Sequence, residues 1–404
     1  MTWEVDSDDV TWGTCSEATD RSKTRWSGMI GYLESQGLTY GGTIRAQGGR
    51  LDLPECFDAR AAAADVSKAG LFVLKFSRSA NTDGLGLKAL ELAEAIKEVR
   101  RLTGGTKVRL VAHSAGGVVA RVYLQSALPG VRYNHDVDRL ITIATPHLGS
   151  ALASHFGDFL GTRATSLKPD SALLRELNWN LDLPADVEFA SIVVRGIAAD
   201  QRGEGDDYRE AADAALLARL PVEYRTGGDQ VVHVCSQNLR LAPCAARYER
   251  QTGRPVQYML ARVADPSPDD RSLYETRVHV AAPQDATVAR LVSGLLGDGA
   301  RLWQACEPEQ LAAWIQWQAR LHASGALEQY TIEEHPMSEV RNIELGSFAM
   351  VDADGDTRQY AFSGKTWSKN RIIPCRRRWT QASGTMDLTF DRFGRVVTAE
   401  ATVR

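Results

Sequence analysis

The chain has 404 residues, enough for one large domain and a second, smaller one. Its 44% hydrophobic and 24% charged content fits a globular chain, and a net charge of -4 supplies no global field that would draw nucleic acid. No run reaches the ~20 apolar residues needed to cross a bilayer, and the acidic opening "MTWEVDSDDVTWG" lacks a signal-peptide core, so a cytoplasmic location is expected.

The first three-quarters alternates helix and strand signals. "GMIGYLESQG" (Gly28 to Gly37) has helical spacing and ends in Gly, and "LFVLKFS" (Leu71 to Ser77) is a short β-prone run. "GLKALELAEAIKEVRRLTGG" predicts a long amphipathic helix closed by Gly104 and Gly105. "KVRLVAH" predicts a strand, "GGVVARVYLQSAL" a helix, and "DRLITIATP" and "VEFASIVVRG" two more strands. "YMLARVA" suggests another strand, and "ATVARLVSGLLG" a helix ending at Gly297. Strands alternating with helices of this length imply βαβ units and a mostly parallel sheet, an α/β fold.

Two stretches interrupt the alternation, about 150–184 and 199–228, and both are long for connections. Insertions of that length in compact domains are usually functional, and the first is the expected lid. Past Gly297 the character changes. "LWQACEPEQLAAWIQWQARLHASG" is helical and Trp-rich, "NIELGSFAMVDADGDTRQYAFSG" reads as a hairpin with an Asp-Gly turn, and "TMDLTFDRFGRVVTAEATV" as two further strands. The expected division is residues 1–297 and a C-terminal α+β appendage, 298–404.

The chemistry centres on "LVAHSAGGVVARVYLQS" (Leu110 to Ser126). An unassisted serine hydroxyl is a poor nucleophile. It needs a base for its proton, an acid to orient that base, and donors for the developing oxyanion. A sharp strand-to-helix turn exposes it, and small residues must stand two places away on each side, here Ala112 and Gly116. The following helix N-terminus adds unpaired N–H groups. A plain turn containing a serine is the competing explanation.

Ala112-His113-Ser114-Ala115-Gly116 resembles the G-x-S-x-G nucleophile elbow of the α/β-hydrolase family, lipases and esterases in particular, with Ala112 for the first Gly. The resemblance covers roughly Val10 to Gly297. It implies an α/β-hydrolase fold with a lid, Ser114 as nucleophile, and an acid and a base following in that order. "TGGDQVVHVCSQ" is similar to the segment that carries the acid in lipase-type members, which implies Asp229; Asp200 is the rival. Of the His residues beyond Asp229, His279 stands just before the last helix, where the family places its base; His233 is the fallback. His113, inside the elbow, is expected to point away from Ser114. "TIATPHLGS" is similar to a lipase segment that lines the active-site rim, which implies substrate contact by His147 and Gly149. Ala115 supplies one oxyanion donor. The family's second donor usually follows a His-Gly pair, which is missing here; Trp12-Gly13-Thr14 stands nearest, with Thr14 as candidate.

The implied reaction is hydrolysis of carboxylic esters, lipid or other apolar acyl esters, with no metal or organic cofactor. An acyltransferase or inositol-deacylase-type activity on the same residues is the alternative, as is a non-catalytic binding module on a degenerate fold.

Other signals are weaker. Six cysteines contain no Cys-x-x-Cys, which argues against a zinc ribbon. Cys235 and Cys244 are close enough for a loop disulfide, while free buried thiols suit a cytosolic chain. "DADGD" lacks the Glu of a calcium loop and "SGKT" the first Gly of a phosphate loop. "KTWSKNRIIPCRRRW" (Lys365 to Trp379) is a basic cluster interleaved with Trp, either a solvated face or a peripheral contact with anionic lipid.

Overall fold

The computed structural model describes residues 20, 22, 24–47, 50–52, 70–77, 84–150, 153, 165–169, 171–197, 228–229, 231–264, 277–297, 343–354, 357–369, 377–390 and 396–403. The chain divides into two compact units, 1–303 and 304–404.

The first unit is built on a four-stranded sheet, β4 (Val108–His113), β5 (Val137–Ile143), β6 (Glu188–Ile197) and β7 (Gln257–Ala264), in that spatial order and parallel throughout. Leu140, Ile141, Ile143, Ile192 and Val193 have no exposed surface, as parallel strands covered on both faces require. A second sheet in this unit joins β1 (Tyr40–Gln47) in parallel to β3 (Leu71–Lys75) and antiparallel to β2 (Arg50–Asp52).

Helices fill the connections. α1 (Ser27–Ser35) precedes β1, and α2 (Leu85–Thr103) precedes β4. α2 buries Leu85, Ala89, Leu92, Ala95, Ile96 and Leu102, the three-and-four spacing read from its sequence, and Gly104 ends it in the left-handed conformation. α3 (Ala115–Leu124) is buried along all ten residues. α4 (Pro243–Thr252) precedes β7, and α5 (Ala286–Leu296) closes the unit, its N-terminus capped by Asp285, which accepts from Thr287 and Val288 N–H. α1 and α5 share one apolar core with the middle strands, through Met29, Leu33, Ile141, Val194, Val288 and Val292.

One sequence expectation changes here, and another is described only in part. Of the expected lid, most of 151–164 lies outside the described residues. In its second half a short helix, Ala172–Arg175, runs into a π-helical turn, Glu176–Asn180; Leu174 and Leu177 have no exposed surface, while Ala172 and Asn180 are exposed. Cys244 is a free, buried thiol, so no Cys235–Cys244 disulfide forms. The 199–228 insertion is described only at Gly228.

The described part of the second unit is an antiparallel sheet of β8 (Ile343–Asp354), β9 (Thr357–Lys369), β10 (Arg377–Phe390) and β11 (Val396–Val403), ordered β11-β10-β9-β8. The expected hairpin across "DADGD" is the β8–β9 pair. The Trp-rich helix expected around 302–325 lies outside the described residues. Among the described residues no helix is long and apolar enough to cross a membrane.

Candidate active site

Strand β4 ends at His113 and α3 begins at Ala115, so the whole turn falls on Ser114. Ser114 has φ 54° and ψ -135°, a region that L residues seldom occupy. Its N–H donates to Ile143 O at 2.9 Å, which ties the turn to the end of β5. Gly117 has a packing reason to be glycine: a Cβ there would overlap the Thr145 side chain. Helix and strand ends thus approach as closely as an elbow needs.

His279 sits on a short helix, Arg277–Ala281, just ahead of α5. Its Nε2 lies 2.7 Å from Ser114 Oγ and its Nδ1 2.6 Å from Asp229 Oδ2. The carboxylate can only accept from Nδ1–H, which leaves Nε2 free to accept from the serine hydroxyl. Asp229 has no exposed surface, and its other oxygen accepts from Val231 and Val232 N–H at 3.0 and 2.8 Å. Both oxygens of a buried carboxylate are thereby satisfied, one by the imidazole and one by the backbone. Ser114 itself is partly exposed, so its hydroxyl is reachable from outside.

The loop that carries Asp229 is fastened to the sheet. β5 ends opposite Ile192, so the groups of β6 beyond that point lack a strand on that side. Gln237 takes its place. Its Oε1 accepts from Val194 N–H at 2.6 Å, and its Nε2 donates to Val194 O and Val232 O at 2.9 and 2.7 Å. Gly196 N–H donates to Gly228 O at 2.9 Å, and Ser150 Oγ to Val231 O at 2.6 Å.

The remaining candidates fall as follows. Ala115 is the first residue of α3, and its N–H belongs to the turn that has no intrahelical acceptor. Thr14 and Asp200 lie outside the described residues. His233 forms an isolated bridge with Gly228 under the acid loop, and burial, with Arg195 second, lowers its pKa to about 3. His113 packs its ring against His279, with centroids 4.6 Å apart and planes tilted by 41°. Burial, and next the neighbouring His279, hold His113 well below the usual imidazole range, so it stays neutral there.

The rim assignment is corrected. His147 has no exposed surface. Its N–H donates to Thr145 O, which turns it back into the interior, where Nε2 meets Thr142 Oγ1 at 3.0 Å and Nδ1 lies 3.5 Å from Arg121 Nη1. Burial, then the Arg121 charge, keep its pKa well down. Gly149 is buried too, with φ 97° and a Cβ position only 2.5 Å from Pro169 Cα. Both residues serve packing.

Sequence reasoning passed over Gln237 and Arg121. Arg121 is fully buried on α3, and donates to Gln125 Oε1 at 3.0 Å and Leu177 O at 2.8 Å. It links the elbow helix to the π-helical turn. Little in either residue's local sequence marks it, because Leu177 lies 56 residues from Arg121 and Val194 lies 43 from Gln237. Among the described residues no group of three or more His, Cys, Asp or Glu converges as metal ligands would.

Comparison with known proteins finds partial resemblances. Residues 79–160 match the family model described as a PGAP1-like alpha/beta domain. A triacylglycerol lipase of Pseudarthrobacter phenanthrenivorans is 35% identical over 99 residues, 24% of this chain and 29% of the lipase. One of Burkholderia plantarii is likewise 35% identical over 99 residues, 24% of this chain and 26% of its own length. The alignments thus span under a third of either relative. Phospholipase PlaB of Legionella pneumophila is a structural neighbour at 12% identity and a TM-score of 0.38, covering 90% of each chain. At that score the likeness carries no argument. The parallel sheet, the strained strand-to-helix turn and the family match define an α/β-hydrolase domain. Over part of its length the chain is similar to lipase/esterase-like members of the α/β-hydrolase family.

Proposed function

We propose that the protein is a serine hydrolase that cleaves carboxylic esters through an acyl-enzyme on Ser114. The observation that carries this reading is the hydrogen-bonded chain from Ser114 Oγ through His279 to Asp229. As the ester carbonyl approaches, Ser114 Oγ gives its proton to His279 Nε2 and bonds to the acyl carbon. Asp229 stays ionised, holds the tautomer and stabilises the imidazolium. The oxyanion accepts from Ala115 N–H, with Thr14 the candidate for the second donor. Collapse breaks the ester C–O bond, and the departing alcohol takes the proton from His279. Water then gives a proton to His279 and attacks the acyl carbon, and the acid leaves as Ser114 recovers its hydrogen.

Apolar acyl esters, lipids included, are the substrates proposed. Support comes from the two relatives named as triacylglycerol lipases. A fluorophosphonate probe tests the nucleophile: the wild-type chain is expected to label stoichiometrically and Ser114→Ala not at all. Equal labelling of the two would overturn the assignment.

A further inference from the structure

The basic, Trp-bearing run from Lys365 to Trp379 has no part in the site above. Its two arms are strand, not loop. Lys365 to Lys369 close β9 and Arg377 to Trp379 open β10, with Trp367 opposite Trp379, Lys369 opposite Arg377 and Lys365 opposite Gln381. Alternate residues of a strand share a face, and directly opposed residues of an antiparallel pair share it as well. Lys365, Trp367, Lys369, Arg377 and Trp379 therefore occupy one face of the sheet.

Neighbours on the same strands tell which face is open. Ser363 and Ser383, opposite one another on that face, are exposed, as is Gln381. Tyr360, on the other face, is 1% exposed.

The open face is also polarised along the strands. Three cations stand at the Trp end, against the single acid Glu344 opposite Lys365. The far end carries exposed Asp352 and Asp354, then Asp387 and its register partner Glu400. Gln359 and Asp387 hydrogen bond across the strands there at 2.8 Å. A bilayer can meet the cationic end alone, whereas a long polyanion lying along the strands would run into the acids. Trp residues settle at headgroup depth, and Lys or Arg near an anionic leaflet is drawn to it.

We propose that the Lys365–Trp367–Lys369–Arg377–Trp379 end of this face docks the protein on an anionic lipid surface. The proposal stands apart from the reaction assigned to Ser114, and its test reads binding, not turnover.

The full chain carrying Ser114→Ala, which consumes no lipid, is sedimented with phosphatidylcholine vesicles, with and without phosphatidylserine, at ~0.1 M salt. Binding is expected only to the anionic vesicles. Lys365→Gln, Lys369→Gln and Arg377→Gln together are expected to weaken it about a hundredfold, at about fivefold per cation. Trp367→Ala with Trp379→Ala should weaken it as well, while Asp352→Asn with Asp354→Asn should not. Circular dichroism checks each fold; if the triple variant fails to fold, Lys369→Gln alone should still show its fivefold loss. Three results would each overturn the proposal: no binding by the parent chain, equal binding by the charge-neutralised chain, or tighter binding of a single-stranded RNA oligonucleotide than of vesicles.

Discussion

Ser114, at φ 54° and ψ -135°, holds a conformation that costs on the order of 1–3 kcal/mol. The hydrogen bond to Ile143 O and the helix that starts at the next residue keep it there. In the proposed reaction the strain places Oγ within 2.7 Å of His279. His279→Ala should lower kcat for a short p-nitrophenyl ester by at least ~10³, with KM little changed. Asp229→Asn, which presents the imidazole with the wrong partner, should cost about 10³–10⁴ in kcat, and steady-state kinetics should rank it far below Asp200→Asn. The reverse ranking would move the acid to Asp200. All three residues of the hydrogen-bonded chain were named from the sequence through the family resemblance: the elbow, the Gly-Asp turn, and the His just before the last helix of the first unit. His147 was misplaced because "TPHLG" fixes a turn but not which side of it faces solvent. The contact between the His113 and His279 rings was not legible, because nothing in the strand of His113 shows which ring will meet it.

The elements that position this site depend on close approaches between their ends. Gly117→Ala, whose Cβ would overlap Thr145, is expected to destabilise the first unit by about 1–3 kcal/mol, read as a lower urea midpoint. Gln237→Ala removes the side chain that stands in for a missing strand beside β6. It leaves Val194 and Val232 backbone groups buried without that partner, at a cost of about 2 kcal/mol or more. Because the Asp229 loop hangs from that clasp, kcat should fall as well, while Gln125→Ala, on a different helix, should spare kcat. The parallel sheet and helices α1, α2, α3 and α5 followed from apolar periodicity alone. β1 did not: "YGGTIRAQ" carries two glycines and an arginine, and it becomes a strand through pairing with β2 and β3. α4 was missed for a related reason, since its buried side, made of Cys244, Ala245, Tyr248 and Glu249, includes a charged residue and so breaks the apolar spacing.

At the scale of the first unit, three imidazoles are buried uncharged. His113 and His147 are held well below their ordinary pKa, and His233 is brought down to about 3, burial being the leading cause in each. The unfolded chain takes up protons at these residues as pH falls through 6.5, and the folded chain does not. Their effect on stability is therefore absent above 6.5 and becomes a loss below it. At about 1.4 kcal/mol per pH unit for each imidazole, urea midpoints should drop steeply between about pH 6.5 and 5. His147→Gln should make that drop shallower, whatever it does to stability at neutral pH; an unchanged slope would mean that His147 is protonated in the fold.

Ser114 and His279 are 165 residues apart along the chain, and Asp229 lies 50 residues short of His279. On a ribosome adding roughly 5–20 residues per second, the elbow emerges on the order of 10–30 s before its base. On the proposed mechanism, Ser114 is throughout that interval an ordinary alcohol, inert toward esters. Nascent chains arrested before residue 279 should accordingly ignore a fluorophosphonate, and released chains should react. The probe would then time the moment at which residue 279 has emerged and the first unit has folded.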